Sequence, residues 1–312
     1  MKKLFILLAC AATVVACSKD ETIASFQGDA IKFGNPFVNK STRVAADQSY
    51  NGNKDLESFN VYGNVNPDDD VATPVVIFTG DEVTGEVGAN VWSCSNTQYW
   101  IVDAAYQFAA VADATSVTVD ATTGLPATIT YDADIDTNEF QNDLLYATAN
   151  LTADANTTAV DFQFNHLLSK VKFTVDSSTE GDYKYNVKDI KINAYQDGVY
   201  TVSSGTWTPS NLDDTPFGDI LAVNNTADIE SDYERLLIPT TTDLDVSFTV
   251  ELCKGTDVLS STAVTKKIAT DLEKGTAYNV LISLSIGNPI QFKVTQDPTG
   301  WVSAAGGDVT LQ

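Results

Sequence analysis

Among 312 residues the chain has one histidine, two arginines and four cysteines, and these shortages exclude much chemistry. The single histidine, His166, rules out metal sites built on several imidazoles and leaves only one imidazole base for a nucleophilic triad. It stands in Phe162-Gln163-Phe164-Asn165-His166-Leu167, between apolar positions of strand character, where a structural role is expected. No serine occupies a Gly-x-Ser-x-Gly elbow and no glycine-rich phosphate loop is present. The sequence therefore reads as a non-enzyme, with no catalytic, metal or cofactor residues to assign. A hydrolase, the rival in that direction, would have to depend on His166 or an acidic pair. Basic residues are also scarce: 18 Lys and Arg against 42 Asp and Glu give a net charge of −24. Such a surface repels nucleic acid and anionic lipid, which speaks against nucleic acid as a partner, and keeps a soluble protein from sticking to itself.

No apolar run reaches the roughly 20 residues that span a bilayer. The longest is the N-terminal one, where Lys2 and Lys3 precede an apolar or small stretch from Leu4 to Ala16, the profile of a secretory signal. It ends in Val14-Val15-Ala16-Cys17, which resembles a bacterial lipobox; residues 1–16 would be the lipoprotein signal peptide and Cys17 the lipidated first residue of the mature protein. Leu7-Leu8-Ala9-Cys10 has a similar form but would leave a very short apolar core. Loss of Lys2 and Lys3 takes the net charge from −24 to −26. Acyl chains bury at about 0.8 kcal/mol per methylene, so two or three of them, palmitate-like in length, hold a protein on a membrane almost permanently. The folded part keeps Cys94 and Cys253, far apart in sequence. Export would permit a bridge, but two free buried thiols are the expectation.

Weaker signals have ordinary explanations. Asp132, Asp134, Asp136, Asn138 and Glu139 space oxygen ligands like the start of a calcium loop. Thr137 stands where such a loop needs glycine and Asp143 where it needs glutamate, so a solvated turn is expected. Asp68-Asp69-Asp70 is treated likewise. Trp92, Tyr99, Trp100 and Trp207 could line a sugar-binding face, the basis of an alternative reading as a glycan-binding surface lipoprotein. Aromatics in β-rich proteins more often pack the core.

Strand patterns run from Ile23 to the C-terminus. Val171-Phe173-Val175, Ile190-Ile192-Ala194, Val246-Phe248-Val250-Leu252, Val280-Ile282-Leu284-Ile286 and Ile290-Phe292-Val294 alternate with polar or small residues, the period of half-buried antiparallel strands. Asn51-Gly52, Asn66-Pro67-Asp68, Thr123-Gly124, Asp197-Gly198, Lys274-Gly275 and Asn288-Pro289 read as turns between them. The fold class is all-β: two tandem β-sandwich domains of transthyretin-like, Greek-key type. The polar stretch Thr152–Thr158 serves as linker, dividing residues 17–155 from 156–312.

Four blocks in order resemble the fimbrillin family, the type V pilins and fimbrillin-like lipoproteins of Bacteroidales. They are the lipobox; Tyr99-Trp100 followed by Tyr106-Gln-Phe108-Ala109-Ala110; Phe164-Asn-His166-Leu167-Leu168-Ser-Lys170-Val171-Lys172-Phe173; and Gly275-x-x-Tyr278 leading to Ile290-x-Phe292-x-Val294 and Trp301. Ser18-Lys19-Asp20-Glu21 is similar to the acidic tract behind the anchor of surface-exported lipoproteins. The resemblance implies a surface-exposed subunit or accessory adhesin of a fimbria, anchored in the outer membrane. Its partners would be other fimbrial subunits and a host or bacterial surface receptor. It also implies that an arginine-directed protease removes an N-terminal strand and that a strand from a neighbouring subunit takes its place. Of the two arginines, Arg235 lies in strand-like Tyr233-Glu-Arg235-Leu-Leu-Ile238, so Arg43, in a polar segment after Ala30-Ile31-Lys32-Phe33, is the expected cut. An uncut anchor or tip is the other form. The donor strand is placed at Ile290, Phe292 and Val294, with Val309-Thr-Leu311 after Gly306-Gly307 as a shorter candidate.

Overall fold

The computed structural model describes residues 29–34, 36–38, 56–67, 73–85, 92–133, 141–179, 181–225, 227–231, 233–296 and 308–309. Its regular elements are all strands. In the first half these are β1 (Lys32–Phe33), β2 (Phe37–Val38), β3 (Ser58–Asn66), β4 (Val75–Thr84), β5 (Ser93–Cys94), β6 (Ala105–Ala112), β7 (Ser116–Val119), β8 (Pro126–Asp132) and β9 (Leu145–Thr152). The short β10 (Ala159–Val160) and β11 (Gln163–His166) lead into β12 (Ser169–Ser177), β13 (Tyr183–Thr201), β14 (Thr206–Val223), β15 (Ile229–Glu230), β16 (Arg235–Leu237), β17 (Leu244–Lys254), β18 (Asp257–Ile268), β19 (Ala277–Leu284), β20 (Gln291–Gln296) and β21 (Asp308–Val309).

A seven-stranded sheet in the order β2-β11-β9-β6-β3-β4-β5 forms the first half, beside a two-stranded pairing of β1 with β10. The second half is a sandwich of two sheets, β15-β12-β19-β20-β21 with β16 also on β12, and β18-β17-β13-β8-β7 with β14 also on β13. Alternation explains its core. Val171, Phe173 and Val175 of β12 meet Val187, Ile190, Ile192 and Phe248 from the facing sheet, all nearly or fully buried. Buried positions on β13 switch from odd (Tyr185, Val187) to even (Ile190, Ile192, Ala194). A register shift between Lys188 and Lys191 produces the switch, and Asp189 sits there at φ 53°. One extra residue in a strand turns every following side chain to the other face.

The expected turn at Asp197-Gly198 is corrected: both residues lie inside β13. Packing rather than a bend favours glycine there, since a Cβ at position 198 would come within 3.0 Å of the Trp207 ring and 3.1 Å of Ile238. Thr123-Gly124 and Lys274-Gly275 do turn, with both glycines at positive φ.

Backbone pairing crosses the boundary expected at residues 155/156 in both directions. β10 and β11 pair with first-half strands, whereas β7 and β8 join the second-half sheet through five register pairs between β8 and β13. A third core lies between the halves, where Tyr62, Ala109 and Val111 from one face of the first sheet pack with Ile129, Tyr131, Leu168 and Ile238. The expected linker is an ordered turn, in which the Asp154 carboxylate accepts from the Asn156 amide and the Thr157 hydroxyl, both at 2.9 Å. Its first buried residue, Ala153, donates its amide to Ala104.

Candidate functional site

Residues 29–34 and 36–38 thread a groove in the first half. On one side they run parallel to the later chain, with Lys32 opposite Ala159, Phe33 opposite Val160, Phe37 opposite Gln163 and Val38 opposite Phe164. On the other side they bridge antiparallel to Trp92 and Tyr99. Besides the pairing with β10 and β11, the Ile31 amide donates to Gln98 (2.8 Å), Trp100 to Asp29 (3.1 Å), Trp92 to Phe33 (3.0 Å) and Gly34 to Val160 (2.9 Å). Ile31 and Phe33 are 7% and 1% exposed, and Pro36 is buried.

The Phe33 ring is the centre of an aromatic cluster. Its centroid lies 6.2 Å from Phe59 edge-on, 5.7 Å from Phe78 edge-on and 6.0 Å from Phe162 in a stacked arrangement, near the optimum for ring pairs. One wall of the groove is Trp92, stacked at a tilt on Phe59 with centroids 5.6 Å apart. Gly85 makes this possible, because a Cβ there would come within 2.5 Å of the indole. At Gly34 an added Cβ would overlap the carboxylate of Asp161.

Cys17 and Arg43 lie outside the described residues, as do Asp134–Glu139 of the acidic loop and Asp68-Asp69-Asp70. Arg235 is buried (2% exposed) at the start of β16, where its Nε donates to the Pro216 carbonyl at 2.8 Å and its guanidinium lies 4.6 Å from the Tyr233 ring centroid. Burial lowers its pKa from the usual arginine value. The expected donor residues belong to the second sandwich. Phe292 pairs with Ile282 and Val294 with Val280 on β19, Phe292 stacks on Phe248 with centroids 6.5 Å apart, and Ile290 packs against the same core. The shorter candidate is adjacent, Val309 pairing with Val294. The groove filled by Ile31 and Phe33 and both donor candidates thus sit in different halves.

The other sequence candidates resolve into packing. Trp92 and Trp100 are 1% and 2% exposed, so neither can present its ring to a sugar. Trp207 is half-buried and donates its indole N–H to the Leu167 carbonyl at 2.9 Å, which leaves Tyr99, half-exposed, as the only one of the four on the surface. Cys94 and Cys253 are free thiols, half-buried and buried. Among the described residues no three His, Cys, Asp or Glu side chains group as a metal site. His166 is buried with Nδ1 2.5 Å from the Asp143 carboxylate. His166→Ala is expected to lower unfolding free energy by about 3 kcal/mol, the cost of breaking a buried pair. Denaturant titration would measure this, and an unchanged midpoint would contradict the structural role.

Sequence reasoning missed the parallel seating of residues 32–38 along 159–164. The Phe162-x-Phe164 alternation was the available signal for the strand that receives them.

A family model described as fimbrillin-like matches residues 42–298. No curated protein sequence matches the chain. Among solved structures, a fimbrial protein from Bacteroides vulgatus is similar with a TM-score of 0.63 at 17% identity, covering 87% of this chain and 99% of that one. A candidate cell-adhesion protein from Bacteroides uniformis gives 0.54 at 15%, covering 88% and 99%. Another from Bacteroides ovatus gives 0.52 at 16%, covering 91% and 99%. At these identities the structures establish a shared fold.

Proposed function

The chain belongs to the fimbrillin-like family, and from that premise we propose that it is a non-enzymatic subunit or accessory adhesin of a cell-surface fimbria, carried to the outer membrane as a lipoprotein through Cys17. Assembly follows cleavage at Arg43, which detaches residues 29–38 and frees the groove for a strand from a neighbouring subunit. The observation that carries this reading is the seating of Ile31, Phe33 and Pro36 in the first core by a segment whose strands, the two-residue β1 and β2, lie outside the seven-stranded sheet or at its edge. Such a segment can leave without dismantling the seven-stranded sheet. A replacement strand adds main-chain hydrogen bonds and buries three or four alternate side chains. At roughly 1.5–3 kcal/mol each, the gross gain is about 5–12 kcal/mol per junction. Because acceptor and donor surfaces differ, the contact is head-to-tail and propagates.

The donor is assigned to Ile290, Phe292 and Val294. The stretch ending in Val309-Thr310-Leu311 is the variant that costs less to release, since among the described residues two register pairs tie it to β20 while six tie β20 to β19.

Immunogold electron microscopy of cells producing the protein tests the function. Label is expected along surface fibres, and Cys17→Ser should abolish both membrane fractionation and labelling. Label confined to a fibre-free surface would overturn the fimbrial role.

A further inference from the structure

The vacated groove is more selective than alternation of apolar side chains requires. Phe33 occupies a socket whose walls are the rings of Phe59, Phe78 and Phe162, two presenting edge and face at steep angles and one lying parallel. A branched aliphatic side chain cannot reproduce three ring contacts at once. Directly after this position the groove narrows at Asp161, whose carboxylate occupies the space that any Cβ at position 34 would take. Asp161 is exposed and can turn outward, so a side chain is admitted there at modest cost, and its charge then favours a base over an acid.

We propose, building on the strand-exchange reading above, that the groove selects an extended partner segment of the order aliphatic, polar, aromatic, then glycine or lysine. Ile31-Lys32-Phe33-Gly34 is the resident example. The same order recurs as Ile290-Gln291-Phe292-Lys293, so the incoming strand is that segment of a second copy, or one like it, with Phe292 in the place of Phe33 and Lys293 against Asp161. Val309-Thr310-Leu311-Gln312 carries no aromatic and fills the socket poorly.

Full-length protein clipped after Arg43 would be mixed with fluorescent peptides and binding followed by anisotropy. A peptide of residues 29–38 should enter the groove. Its Phe33→Ala form should bind about a hundredfold more weakly or worse, and its Phe33→Leu form about tenfold more weakly, through loss of the ring pairs. Between Gly34→Lys and Gly34→Glu peptides, the lysine form should bind about fivefold better, and Asp161→Ala in the protein should erase that difference. A peptide of residues 289–296 should outcompete one of residues 306–312. Equal binding of the Phe and Leu peptides, no lysine preference, or a better 306–312 peptide would overturn the selectivity while leaving strand exchange intact. Failure of every peptide to bind would overturn both.

Discussion

Cleavage of the purified protein by an arginine-specific protease is expected to convert a monomer into detergent-resistant polymers whose formation depends on concentration. The chain offers this protease two arginines, and Arg235 is buried within β16, so the product should be a single clip after Arg43. Before the cut, residues 29–38 are tethered to the groove they fill, and a short tether gives an effective concentration of order millimolar. Severing it turns return to the groove into a bimolecular event that a neighbour's strand can win. Among the described residues Ile31, Phe33 and Pro36 are buried and hold the resident segment, so exchange should be slow and accelerate on mild warming. Arg43→Ala should suppress both clip and polymer. Clipped protein that stays monomeric at high concentration would reject the self-assembling form and leave an anchor or tip.

Phe33→Ala in the intact chain is expected to cost about 3–5 kcal/mol of stability, the range for deleting a fully buried ring from a core that cannot collapse around the void. Phe59, Phe78 and Phe162 are each anchored on separate strands or their flanks, so the socket should stay open. Chemical denaturation gives the magnitude. Hydrogen exchange gives the location, with protection falling at the amides of Ile31 and Trp92 while Val280 and Ile282 in the second core keep theirs. A loss below about 1 kcal/mol would mean that the segment is an ornament rather than part of the first core.

Val171-Phe173-Val175 of β12 and Val246-Phe248-Val250 of β17 were legible from alternation because each of these strands buries one face against the facing sheet. The first half was harder. Ala109, Ala110, Val111 and Ala112 of β6 are all buried, since the sheet is covered on both faces, and period-two reasoning has nothing to detect there. Asp197-Gly198 misled because turn chemistry and close packing ask for the same residue. Trp92 and Trp100 were expected in the core and are there, Trp92 on Phe59 and Trp100 on Tyr106 and Phe108. The seat of the segment around Phe33 was invisible: β1 and β2 are two residues each, too short to carry a period, and their partners lie beyond residue 158. Arg235 was readable as buried because its neighbours Leu236, Leu237 and Ile238 demanded it.

The hairpin of β7 and β8 leaves the first half to lie against β13. In a filament under flow this arrangement decides how a subunit carries tension. A chain joined only through Leu167 and Leu168, between β11 and β12, would stretch at that single connection, like a hinge pulled straight. Here the β8–β13 ladder spans the same gap, so separating the halves means rupturing its hydrogen bonds together with the Tyr131 and Leu168 packing beneath it. Load is shared between a covalent strap and a hydrogen-bonded one. Each subunit should therefore behave as a stiff link, and extension of the fibre should fall on the junctions between subunits, where, on the strand exchange proposed above, one strand would slip from its groove and be caught again.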